Sequence, residues 1–135
     1  MLPEDVYELR WASEPRLSPD GRTAAVVENW VDRDANSYRS AIWLVPSDGS
    51  AAPARLTAGV KIDTDPRWSP DGTRLAFVSN REGERKQLYV IPLGGGEPSR
   101  LTDLAEDVVD VAWSPDGKQL AFLSRGRDPA YEEED

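Results

Sequence analysis

Pro66-Arg67-Trp68-Ser69-Pro70-Asp71-Gly72-Thr73-Arg74-Leu75-Ala76-Phe77-Val78-Ser79 reads as a strand, a tight turn and a second strand. Pro70 pre-sets the backbone for the second position of a type I turn, and Asp71 suits the position after it. Gly72 takes the left-handed conformation that closes the loop with a bulge. On the far side Leu75, Phe77 and Ser79 fall on one face, the period of two that marks a strand. Ser-Pro-Asp-Gly occurs three times, beginning at Ser18, Ser69 and Ser114, with starts 51 and 45 residues apart. Pro15-Arg16-Leu17 and Val111-Ala112-Trp113 precede the other two copies. Thr23-Ala24-Ala25-Val26-Val27 and Gln119-Leu120-Ala121-Phe122-Leu123 follow them.

Two further signatures keep the same order. Ala41-Ile42-Trp43-Leu44-Val45-Pro46 matches Gln87-Leu88-Tyr89-Val90-Ile91-Pro92, and Arg55-Leu56-Thr57 matches Arg100-Leu101-Thr102 at a distance of 45. Each unit is therefore expected to hold four antiparallel strands. In the second unit these are Pro66–Trp68, Thr73–Asn80, Gln87–Pro92 and Pro98–Thr102. A four-stranded unit repeating every 40–50 residues is the pattern of a β-propeller blade. The expected fold class is all-β, a partial β-propeller of about two and a half blades with a short N-terminal helix.

The boundaries follow. Residues 1–14 read as a helical segment, from Pro3 and the acids at its start and the spacing of Leu2, Val6 and Leu9. Residues 15–57 form blade one and 58–108 blade two with its linkers. Residues 109–124 are the first half of blade three, and 125–135 an acidic tail. Closed propellers use typically 4–8 blades, so the chain reads as a piece of a larger ring. Its unpaired strand near Leu120–Leu123 invites another chain.

Composition narrows the function. The 135 residues carry 16 Lys+Arg, 25 Asp+Glu, no His and no Cys, a net charge of -9. Without an imidazole or a thiol there is no Ser-His-Asp or Cys-His mechanism, no Cys/His zinc site and no disulfide. The acidic balance disfavours nucleic acid, which is held through basic surfaces. Leu, Ile, Val and Phe number only 28, a lean core that five Trp residues compensate. The acidic N-terminus does not resemble a signal peptide. No apolar run nears the ~20 residues that span a bilayer. The expectation is a cytoplasmic protein with no membrane partner.

Several local features have a plain structural reading. Asp32-Arg33-Asp34-Ala35-Asn36 begins like a calcium loop, but Ser37 and Trp43 stand where an EF-hand needs Gly and Glu. Ser18, Ser69 and Ser114 share one turn context and read as turn formers. Gly94-Gly95-Gly96 lacks the Lys and helix start of a phosphate loop. Trp68 with Trp113, Trp43 with Tyr89, and Phe77 with Phe122 recur in register and read as core. Trp11 and Trp30 do not recur and are freer to serve an interface. No catalytic, cofactor-binding or metal-binding residue is assigned, and no cofactor.

The stretch PRWSPDGTRLAFVSNREGERKQLYVIPLGGGEPSRLT resembles the TolB-like propeller repeat. With the opening PEDVYELRWASEPRLSPDG, then YRSAIWLVPSDGS and a late DPAYEEED, the chain resembles the start of an acylaminoacyl-peptidase-type member of the prolyl oligopeptidase family. That resemblance implies an N-terminal propeller over a C-terminal α/β-hydrolase domain with a Ser, Asp, His triad. The propeller would admit short peptides and exclude folded proteins. This chain departs from the family in lacking His, a G-x-S-x-G elbow and the length for a hydrolase domain, so no catalytic residue carries over. The expected function is a non-catalytic propeller fragment of a serine peptidase, its partners the missing blades and the hydrolase domain. The alternative is a stand-alone propeller-repeat interaction module, completed by self-association through its open blade edges or by a partner chain.

Overall fold

The computed structural model describes residues 9–126, and within them the chain is all strand and loop. The first sheet holds β1 (Arg10–Leu17), β2 (Thr23–Asp32), β3 (Ser37–Pro46) and β4 (Ala54–Arg55) in sequential order. The second repeats it with β5 (Asp63–Trp68), β6 (Arg74–Ser79), β7 (Gln87–Pro92) and β8 (Ser99–Arg100). β9 (Val108–Trp113) and β10 (Leu120–Ser124) form the first hairpin of a third. All pairings within these sheets are antiparallel. The first strands β1, β5 and β9 touch in succession, as inner strands of neighbouring blades do. The partial propeller is the observed fold.

The Ser-Pro-Asp-Gly turns explain the spacing. In the second copy Gly72 N–H donates to Ser69 O and Ser69 N–H to Arg74 O, both at 2.9 Å. Ser69 Oγ donates to Asp71 Oδ1 at 2.7 Å and accepts from Arg74 N–H at 3.0 Å. The other copies repeat every one of these bonds. The Ser69 hydroxyl, with the Thr73 amide and hydroxyl, holds the Asp71 carboxyl down to about 2. Gly21, Gly72 and Gly117 all sit at φ of 72–75°. The Arg-Leu-Thr signature closes the outer edge, where Thr57 Oγ1 accepts from Ile42 N–H and Thr102 Oγ1 from Leu88 N–H, each at 2.9 Å.

Two clusters form the core, and both lie between blades. Ala25, Val27 and Ile42 of the first sheet meet Leu75, Phe77, Tyr89 and Ile91 of the second. Ala76, Val78 and Leu88 on the second sheet's other face meet Val108 and Val111. Phe77 and Tyr89 stack with ring centroids 5.7 Å apart. The first repeat is longer because β2 and β3 are 10 residues each, against 6 for β6 and β7.

One expectation is corrected. Residues 10–14, assigned to a helical segment, are the first part of β1, with Arg10 opposite Trp30 and Ser13 opposite Val27. The long β2 offers a row of backbone groups that an extended strand satisfies and a helix would leave unpaired. The remainder of that segment, 1–8, lies outside the described residues, as does most of the acidic tail, 127–135.

Replacing Gly72 by Ala imposes a left-handed strain on a side-chain-bearing residue, costing about 1 kcal/mol or more. Gly83, with open space around it and no positive φ, should tolerate Ala without loss. Urea unfolding of the two variants checks this; equal stabilities would remove the turn from its place in the fold.

Candidate functional site

Each inner strand breaks its register at one place. The shift lies between Ser13 and Arg16 in β1 and between Thr64 and Arg67 in β5. In the third hairpin it falls where Val109 and Ala112 oppose Leu123 and Ala121. At each break stands an acidic residue with left-handed backbone: Glu14 (φ 52°), Asp65 (φ 57°) and Asp110 (φ 54°). Pro15 and Pro66 come next in the first two; having no N–H, they suit a bulge where the ladder is interrupted. A side chain in this conformation costs on the order of 1 kcal/mol, strain the surrounding sheet must hold. Because β1, β5 and β9 are neighbours, the repeat sets three carboxyl groups at one level of successive inner strands.

The first two interact. Glu14 is raised to about 7, first by burial, then by a hydrogen bond and charge repulsion from the Asp65 carboxyl. The Asp65 backbone amide and Arg67 oppose this more weakly. Glu14 therefore keeps its proton to near neutrality, and Asp110 stands one blade further on. Among the described residues no group of three His, Cys, Asp or Glu side chains is placed to hold a metal ion. What the arrangement offers is a row of acidic side chains at the bulges of neighbouring inner strands.

A second cluster occupies the face of the first sheet turned away from the second. Glu28 Oε1 accepts from Arg10 Nη1 at 3.2 Å, Trp43 Nε1 at 3.3 Å and Arg55 Nη2 at 3.2 Å. Both guanidinium groups lie over the Trp30 ring, 4.8 and 5.5 Å from its centroid. An open groove of about 340 Å³ runs beside it, lined by Trp11, Val26, Trp43 and Val45 among others.

The other motifs take structural places. Asp32 accepts from Ala35 N–H and pairs with Arg39, closing the β2–β3 hairpin. The three turn serines are committed to their aspartates. Gly96 lies against the Pro92 ring. Phe77 and Tyr89 are core, Trp68, Trp113 and Phe122 pack at its margin, and Trp43 lies on the outward face of blade one. Trp30 covers Gly59, and Trp11 meets Tyr38 edge to face. Sequence reasoning missed the bulge acids, although the signal is present: each stands four residues ahead of a Ser-Pro-Asp-Gly turn.

Comparison with known proteins adds four likenesses. The family described as the Tricorn protease N-terminal beta propeller domain matches residues 32–134. The uncharacterized peptidase YuxL of Bacillus subtilis (strain 168) is 43% identical over 95 residues, which are 70% of this chain and 14% of that protein. The chain thus corresponds to a small part of the relative's length. Two solved structures share the fold. The acylaminoacyl peptidase of Pyrococcus horikoshii is 20% identical at a TM-score of 0.73, covering 93% of this chain and 19% of that one. The β-propeller domain of the Trilobed protease from Pyrococcus furiosus is 24% identical at 0.66, covering 84% and 34%.

The Glu14–Asp65 pair has a definite pH signature. A carboxyl raised from 4.5 to about 7 on folding binds more proton in the native state, so its contribution is full below about 4.5 and is lost as pH rises through about 7. Glu14→Gln should therefore gain stability over the parent at pH 8 relative to pH 4.5, read from urea unfolding at both. A difference independent of pH would mean that Glu14 is not raised on folding.

Proposed function

Since the chain belongs to the Tricorn protease N-terminal β-propeller family, we propose that it is the non-catalytic gate of a larger serine peptidase. In this reading a C-terminal α/β-hydrolase domain carries the nucleophile, base and oxyanion hole. The propeller admits short peptides along its axis and excludes folded chains. The observation that carries the reading is the family match laid on successive blades whose inner strands stand side by side. The likeness to a peptidase of which this chain covers 14% supports a catalytic region elsewhere in the polypeptide. So does the absence of His and Cys from the 135 residues, since a triad base cannot come from this chain.

The axial carboxyl groups give the gate a chemical preference. In this reading the bulge acids Glu14, Asp65 and Asp110 line the way a peptide would pass, Glu14 adding its charge only as pH rises through about 7, and a free peptide N-terminus is an ammonium ion. Attraction over a few ångströms in a partly desolvated passage is stronger than in bulk water. The gate therefore favours peptides that lead with a positive end.

A second reading, a stand-alone module that self-associates through its open edges, draws on β10, whose outward Leu123 is 61% exposed. Mass spectrometry of the native polypeptide in its source, combined with a fluorophosphonate probe for serine hydrolases, separates the two. The gate reading expects a species much heavier than 15.0 kDa that takes up the probe. A 15.0 kDa species that stays unlabelled overturns it in favour of the module.

A further inference from the structure

We propose that the cleft between the first two Ser-Pro-Asp-Gly turns binds a guanidinium group, the end of an arginine side chain presented by a peptide. The inference stands apart from the peptidase reading. It rests on a difference between two junctions that the same repeat builds.

At the junction of blades two and three the chain supplies such a group itself. Arg74 opens β6 just after its turn, and its Nη2 donates to Gly117 O at 2.6 Å. The guanidinium lies over the Trp113 ring, 4.7 Å from the centroid. That indole is anchored in turn, its Nε1 donating to Arg67 O at 2.9 Å. The Asp71 carboxyl, held down first by Ser69 and then by Thr73, also feels the Arg74 charge. An indole face, a carbonyl and a carboxylate are what a planar, always charged set of donors takes.

The junction of blades one and two has the receiving parts without the donor. Trp68 and Gly72 precede Trp113 and Gly117 by 45 residues, and Asp20 and Thr23 precede Asp71 and Arg74 by 51. Trp68 is anchored as Trp113 is, its Nε1 donating to Arg16 O at 2.8 Å. Thr23, however, is too short to reach across. A Cβ on Gly117 would lie 3.7 Å from Arg74 Nη2, whereas one on Gly72 would meet only Pro19. A cavity of about 300 Å³ opens there, lined by Asp20, Thr23, Trp68, Asp71 and Gly72 among others.

The charge of this cleft matches the proposed occupant. Among the described residues that line it there are two carboxylates and no Lys or Arg. The turn hydroxyls of Ser18 and Ser69 are the first cause holding both aspartates below the ordinary carboxylate range, so both are charged at neutral pH. Each commits Oδ1 to its own turn, and the second oxygen takes no part in that closure. An ammonium group would meet the charge but could not lie flat on the indole, so the cleft favours arginine over lysine.

Titrating the full chain with Nα-acetyl-arginine amide tests this, read from the indole N–H resonance of Trp68 in a proton–nitrogen correlation spectrum. The signal should move and saturate with a Kd on the order of 1 mM. Nα-acetyl-lysine amide should bind about threefold or more weaker. Thr23→Arg, which copies Arg74, should fill the cleft from within and weaken binding about tenfold or more, while Thr23→Val should bind as the parent does. Trp68→Phe, read from the Gly72 amide, should also weaken binding and serves if Thr23→Arg does not fold. A Trp68 signal that does not respond to the capped arginine overturns the proposal. So does an equal response to the capped lysine, which would leave only charge screening. Undiminished binding to a folded Thr23→Arg chain overturns it as well, because the ligand would then sit elsewhere.

Discussion

The hydroxyl of the serine in each Ser-Pro-Asp-Gly turn is where this architecture is anchored. It donates to the aspartate two residues on at 2.6–2.7 Å and accepts the amide five residues on at 3.0–3.1 Å. The bond closes the first hairpin of every blade on its own, without help from a neighbour. It also leaves the proline and glycine of the turn facing adjacent blades, where they stack. A local turn thus sets the height at which blades meet.

The hairpin closure and the junction are linked through the inner strand. Directly before each turn stands the residue that points backward, Trp68 or Trp113, and one position earlier the carbonyl that receives the next indole. Two residues before that carbonyl the strand bulges at an acidic residue. The extra residue changes the twist between the pairing that holds the hairpin and the stretch that follows the axis. Strain, charge and contact between blades are therefore gathered in one short strand, repeated three times. Substitutions there act on more than one property at once, whereas the outer strands β4 and β8, two residues each, bear little of the load.

The same short strand thus holds the bulge carboxyls beside the turns and the junction cores, so charge and packing are set by one repeated element.

The repeat, the turns, the strand pattern and the matching core positions were legible in the residues, because each rests on interactions within a hairpin. A turn needs only six consecutive residues to satisfy its bonds, and a strand's period shows in its own side chains. Trp30 and Trp11 stood out as non-recurrent, yet nothing local told that one covers Gly59 and the other meets Tyr38. The first strand was misread because Arg10–Ser13 carry a pattern compatible with a helix, and the partner that makes them extended is β2, 14 to 20 residues away. The acidic level and the junctions were equally hidden. Their bonds join residues 46 to 52 apart, and only the stacking of one blade on the next brings those carbonyls, indoles and carboxyls together.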